Sequence, residues 1–166
     1  VEVTGLGKRY GRTLALDGGV VSAVGTGRRA VDLTREALDP LADGALSALA
    51  RALYFAGDFA EALNTAMAAL NHPDTQRRVP TQIHARTTLA LVAVQEGRLS
   101  SAQTHVDKAG ELAGRIGTSR SWLGANASAA LGFLLLAQGQ VAEASRALAI
   151  AERFFRDDVP TIHHAW

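Results

Sequence analysis

From Leu46 to Leu70 the chain reads LSALARALYFAGDFAEALNTAMAAL. Apolar residues recur three and four apart on both sides of Ala56-Gly57-Asp58-Phe59. Leu46, Leu49 and Leu53 precede it; Phe59, Ala62, Leu63, Ala66 and Leu70 follow. That period gathers each set on one helix face. Gly57 suits the left-handed turn that ends a helix, and Asp58 suits the cap that starts the next. The stretch predicts a helical hairpin whose small residues let the two helices approach closely.

The pattern returns twice. Leu89, Ala90 and Ala93 precede Gly97-Arg98-Leu99, with Ala102, Val106 and Ala109 after it. Leu131, Gly132 and Leu135 precede Gly139-Gln140-Val141, with Ala144, Leu148 and Ala151 after it. The turn glycines are 40 and then 42 residues apart, a period that marks stacked helical repeats. These residues resemble the tetratricopeptide pattern over about residues 42–156. The pairs Ala62 and Ala69, Ala102 and Ala109, and Ala144 and Ala151 fill its two second-helix alanine positions. The period exceeds the usual ~34 residues, and the Trp/Tyr signature of the first helix is missing. The resemblance implies an all-α fold: a right-handed superhelical solenoid of antiparallel helix pairs. Ala62, Ala102 and Ala144 are expected where paired helices come closest.

Outside the repeats the reading changes. Residues 1–18 carry Gly5, Gly7 and Gly11 and open on an alternating Val1-Glu2-Val3. They read as a strand-like N-terminal segment, with 19–166 as the repeat domain, cut within a helix that begins near Pro160. Lys8-Arg9-Tyr10-Gly11, followed by Leu14-Ala15-Leu16-Asp17-Gly18, resembles the start of ABC-transporter ATPase domains. In that family the aromatic stacks on adenine, but no G-x-x-x-x-G-K-[ST] phosphate loop occurs in the chain. Gly25-Thr26-Gly27-Arg28-Arg29-Ala30 fits the dinucleotide fingerprint G-x-G-x-x-[GA]. With no strand to complete a βαβ unit, an inter-helix turn at Gly25 fits better. Ala30 and Ala37 then take the alanine positions of a degenerate repeat, and Arg28-Arg29 are solvated. Seven to nine helices are expected, joined near Gly25, Pro40, Gly57, residues 71–79, Gly97, Gly117, Gly139 and Asp158, with Thr118 or Ser119 capping the helix after Gly117.

Composition narrows the functions. Apolar residues make up 48% of the 166 and aromatics only 5%, which favours close-packed helices over a sheet. A net charge of +1 supplies no field for nucleic acid or membrane surfaces. No apolar run is long enough to span a bilayer. With no cysteine, the chain has no disulfides or thiolate sites, as is compatible with the cytoplasm. His72, His84, His105, His163 and His164 form no helical metal pair. No G-x-S-x-G elbow occurs, and Asp157-Asp158 reads as a solvated turn. The chain is therefore read as non-catalytic, without metal or cofactor.

A binding reading has more content. In the resembled family the first helix of each repeat lines a concave groove. By offset from the turn glycines, its inward positions fall on Ser47, Arg51, Tyr54 and Phe55; on His84, Thr87, Leu91 and Gln95; and on Asn126, Ala129, Phe133 and Leu136. Such a groove suits a small effector or an extended peptide, and Arg51 would prefer an anionic group. The alanine-rich, ~40-residue repeats also resemble the repeat arm of large ATP-binding LuxR-type transcription regulators, of the maltose-regulon-activator type. That resemblance implies a sensor arm that binds an effector or protein, controls self-association, and leaves DNA contact to another domain. A general protein-interaction scaffold and a fragment linked to an ABC-type ATPase are the alternatives.

Overall fold

A computed structural model describes residues 14–36, 42–117 and 121–157. The described residues form seven α-helices: α1 (Leu14–Glu36), α2 (Ala42–Ala56), α3 (Phe59–Asn71), α4 (Val79–Gln95), α5 (Leu99–Arg115), α6 (Trp122–Ala137) and α7 (Val141–Asp157). One 3₁₀ turn, Pro73–Arg77, joins α3 to α4. Among the described residues there is no strand, and no helix is long and apolar enough to cross a membrane. Each helix packs on its chain neighbour, and the solenoid advances as the pairs α2/α3, α4/α5 and α6/α7.

The turns follow from local chemistry. Gly57, Gly97 and Gly139 adopt φ of 84°, 72° and 78°, values that glycine reaches without a Cβ penalty. The next amide folds back on the helix each time: Asp58 N–H donates to Leu53 O (3.0 Å), Arg98 to Ala93 O (2.8 Å), and Gln140 to Leu135 O (2.8 Å). This bond satisfies a carbonyl that the helix end leaves unpaired. Asp58 then caps α3 by accepting from the Glu61 amide.

Three sequence expectations change. No turn lies at Gly25: α1 runs unbroken from Leu14 to Glu36. Gly27 serves packing instead, because a Cβ there would come within 3.1–3.3 Å of Leu49 in α2. Residues 14–18, assigned to the N-terminal segment, lie in the first turns of α1. The cap of α6 is Ser121, which accepts from the Leu123 amide, in place of Thr118 or Ser119, which lie outside the described residues. The ABC-like residues 1–13, Ala37, Pro40 and the helix expected at Pro160 lie outside the described residues.

The core is built from small residues. Ala62, Ala102 and Ala144 are fully buried, as the close-approach reading requires. Facing positions trade volume between repeats. Ala50 shares a cluster with Ala66, and Ala90 with Val106, whereas Gly132 faces Leu148. A Cβ on Gly132 would lie 2.5 Å from Leu148 Cγ and 2.7 Å from Cδ2. Overpacking of this kind costs roughly 1–3 kcal/mol, of which helix propensity returns about 1. Gly132→Ala should therefore lower the urea midpoint, and adding Leu148→Val, which recreates the Ala90/Val106 pair, should restore it.

The first helices form the inner layer. α4 packs on both α2 and α6, whereas the second helices α3, α5 and α7 do not pack on one another to any comparable extent. α4 is the centre of the molecule, in contact with α2, α3, α5 and α6. It buries residues on most sides, including Thr87 and Thr88, so its pattern lacks one clear apolar stripe.

Candidate functional site

Three helices bring their polar side chains to one point. α2 contributes Ser47 and Arg51, α4 His84, Thr87 and Thr88, and α6 Trp122 and Asn126. Arg51 Nε donates to Thr88 Oγ1 at 3.0 Å and its Nη1 to Asn126 Oδ1 at 3.3 Å. Its Nη2 donates to Thr87 Oγ1. Both threonine hydroxyls donate in turn to the His84 carbonyl, at 2.9 and 3.2 Å. Their protons are thus committed to the helix, and towards Arg51 they act as acceptors. Asn126 is held by its own amide, which donates to Trp122 O at 2.8 Å.

Arg51 has no carboxylate within ion-pair distance among the described residues; the ion pairs there involve other cations. Burial lowers its pKa to about 10, so it stays charged at neutral pH. A charge enclosed among neutral groups is costly unless compensated. Three of its five N–H donors are used, and one on each terminal nitrogen is left for a further acceptor.

His84 stands beside this charge. Its Nδ1 lies 3.4 Å from Ser47 Oγ, whose hydroxyl donates to Gly44 O at 3.0 Å. Its ring meets Trp122 edge-on, with centroids 5.5 Å apart. Burial, with the Arg51 charge second, pushes its pKa down to about 4, and the ring is neutral at pH 7.

Next to the polar centre lies an aromatic shelf. Tyr54 packs against Phe55 and Phe59 at centroid distances of 5.4 and 5.6 Å. Its hydroxyl accepts from Gln95 Nε2 at 3.4 Å. Phe55 is 62% exposed.

Of the residues expected from the sequence, Ser47, Arg51, His84, Thr87 and Asn126 meet in one network, and Tyr54 flanks it. Leu91 does not belong to the groove surface: it is buried with Ala130 and Leu134, because α6 covers it. Phe133 occupies the equivalent position in the last pair and is 45% exposed, as is its neighbour Leu136 at 44%. It stands apart from the Arg51 network. Thr88 and Trp122 were not foreseen. Thr88 sits one position beyond an inward offset, and Trp122 is the first residue of its helix.

Among the described residues, no group of three or more histidine, aspartate or glutamate side chains could hold a metal. Two stretches, residues 44–72 and 125–149, match the tetratricopeptide repeat family model. They cover α2/α3 and most of α6/α7. No curated protein and no solved structure matches the chain. The stacked helix pairs and these two matches make the described architecture a tetratricopeptide-like helical repeat.

Proposed function

We propose that the chain is a non-catalytic binding module whose inner face, formed by α2, α4 and α6, takes a protein segment or small effector with an acidic group. The observation that carries this reading is the convergence of three first helices on Arg51. Its guanidinium keeps two free donors and has no counter-charge among the described residues. The adjacent Tyr54 and Phe55 supply aromatic area, and aromatic and arginine side chains are the usual anchors of such contacts. The tetratricopeptide-like repeats support a protein-interaction role. The ~40-residue alanine-rich period supports the narrower reading: an effector-sensing and self-association arm of a bacterial LuxR-type transcription regulator, which would work in the cytoplasm without touching DNA itself. A general interaction scaffold fits the same face.

The test uses a peptide selected against the chain from a random display library. By calorimetry, Arg51→Ala and Tyr54→Ala should each weaken binding by more than about 1 kcal/mol. Gln103→Ala should leave it unchanged, since Gln103 lies on α5 and bonds to Asp107. Equal affinities for all three variants would move the function to the outer face or to the solenoid's ends.

A further inference from the structure

The neutral histidine beside an unpaired arginine has a consequence for binding. His84 and Arg51 share a scaffold: Thr87 and Thr88 accept from the guanidinium and donate to the His84 carbonyl. The imidazole is held between Ser47 of α2 and Trp122 of α6. The groups packed around it are few in kind. From α2 comes the Arg51 charge, while Asp43, one turn before Ser47, is taken up by Arg78 and Thr75. From α6 come Trp122 and Asn126, which carry no charge. Among these groups Ser47 Oγ can accept from an imidazolium N–H but none offers it a free negative charge, and one full positive charge opposes it.

Resting on the reading of the inner face as the binding surface, we propose that anion capture at Arg51 is proton-linked through His84: an acidic ligand seated on the guanidinium binds together with a proton on the imidazole. The anion offsets the Arg51 repulsion, which adds to burial in keeping His84 neutral, and offers the ring an opposite charge, which favours the protonated form. By linkage the effect is reciprocal, so protonation of His84 tightens the hold on the anion. The protonated ring is also a second donor cation, so the site meets an acidic group with one positive charge at neutral pH and two in mild acid. The ligand chemistry is a carboxylate that stays ionised as the pH falls, from either a small organic acid or a peptide.

The probe is acetate, with chloride at equal concentration as the control for ionic strength. The His84 ring is titrated by NMR in each salt. In acetate its pKa should rise by at least about one unit. Arg51→Gln should raise it in both salts and abolish the difference between them. Affinity for the acetate anion, corrected for acetate's own ionisation, should be at least about threefold higher near pH 4.5 than near pH 7.5 in the native chain, and flat with pH in His84→Gln. An identical His84 titration in acetate and chloride, or an unchanged pH dependence in His84→Gln, would overturn the proposal. The display-selected peptide separates the sources: loss of pH dependence on amidating its C-terminus points to a terminal carboxylate, and loss on Glu→Gln or Asp→Asn replacement to a side chain. The proposal fails as well if the peptide covers the inner face without any pH dependence, an outcome that leaves the inner-face reading standing. A peptide footprint away from α2, α4 and α6 would instead remove that reading.

Discussion

Arg78→Ala should cost about 3 kcal/mol of folding stability, the lower end of the range for breaking a buried ion pair. Asp43 is fully buried at the start of α2. Its Oδ1 accepts from Arg78 Nη1 at 3.0 Å and its Oδ2 from Thr75 Oγ1 at 3.1 Å. The threonine proton is shared with Ala69 O, only 2.6 Å away, so Arg78 carries most of the compensation. Removing Arg78 strands a carboxylate in a dry site. The reverse change is milder. Arg78 is 31% exposed and turns to water when Asp43 is lost, so Asp43→Ala should cost only about 1–2 kcal/mol. Urea denaturation at neutral pH checks the asymmetry. Equal losses would mean that the pair acts as an ordinary surface bridge and that Asp43 does not hold α2 to the 3₁₀ turn.

The second large effect is acid sensitivity. In the folded chain the pKa of His84 is lowered from 6.5 to about 4 by burial and by Arg51. Between these values the unfolded chain binds more protons than the folded one, so stability rises with pH across that window. The contribution is fully present above about pH 6.5 and lost as the pH falls towards 4. The shift corresponds to something on the order of 3 kcal/mol. In His84→Gln this component should vanish. The difference in urea midpoint between native chain and variant should therefore change steeply from about pH 6.5 to 4.5 and be level above 7. A difference that stays constant would show that His84 titrates normally and is open to water. The same displacement of its pKa is what leaves room for an acidic ligand to raise it.

Much of the fold was legible because its causes are local. Gly57, Gly97 and Gly139 announce themselves, since the left-handed turn is decided by the backbone of one residue. The buried alanines follow from the helix period alone. α1 was misread because Gly25 and Gly27 look like a break. The reason for Gly27 is the close approach of Leu49, a tertiary contact with no sequence signature. The site divides in the same way. Arg51, His84 and Asn126 could be placed by counting back from the turns. That Arg51 would reach Asn126, 75 residues away, depends on how α2, α4 and α6 pack. The same phase puts Thr88 under the guanidinium and buries Leu91 beneath α6. The Asp43–Thr75–Arg78 cluster was invisible for a different reason. Thr75 and Arg78 stand 32 and 35 residues beyond Asp43, in a segment that reads as an ordinary polar turn.

On this reading the first helices, and not the second, form the binding face. Amide hydrogen exchange of the chain with and without the display-selected peptide tests it most directly. Exchange protection is predicted to concentrate on α2, α4 and α6, around Arg51, Thr87 and Asn126, with α3, α5 and α7 unchanged. Protection confined to α3, α5 and α7 would contradict the account.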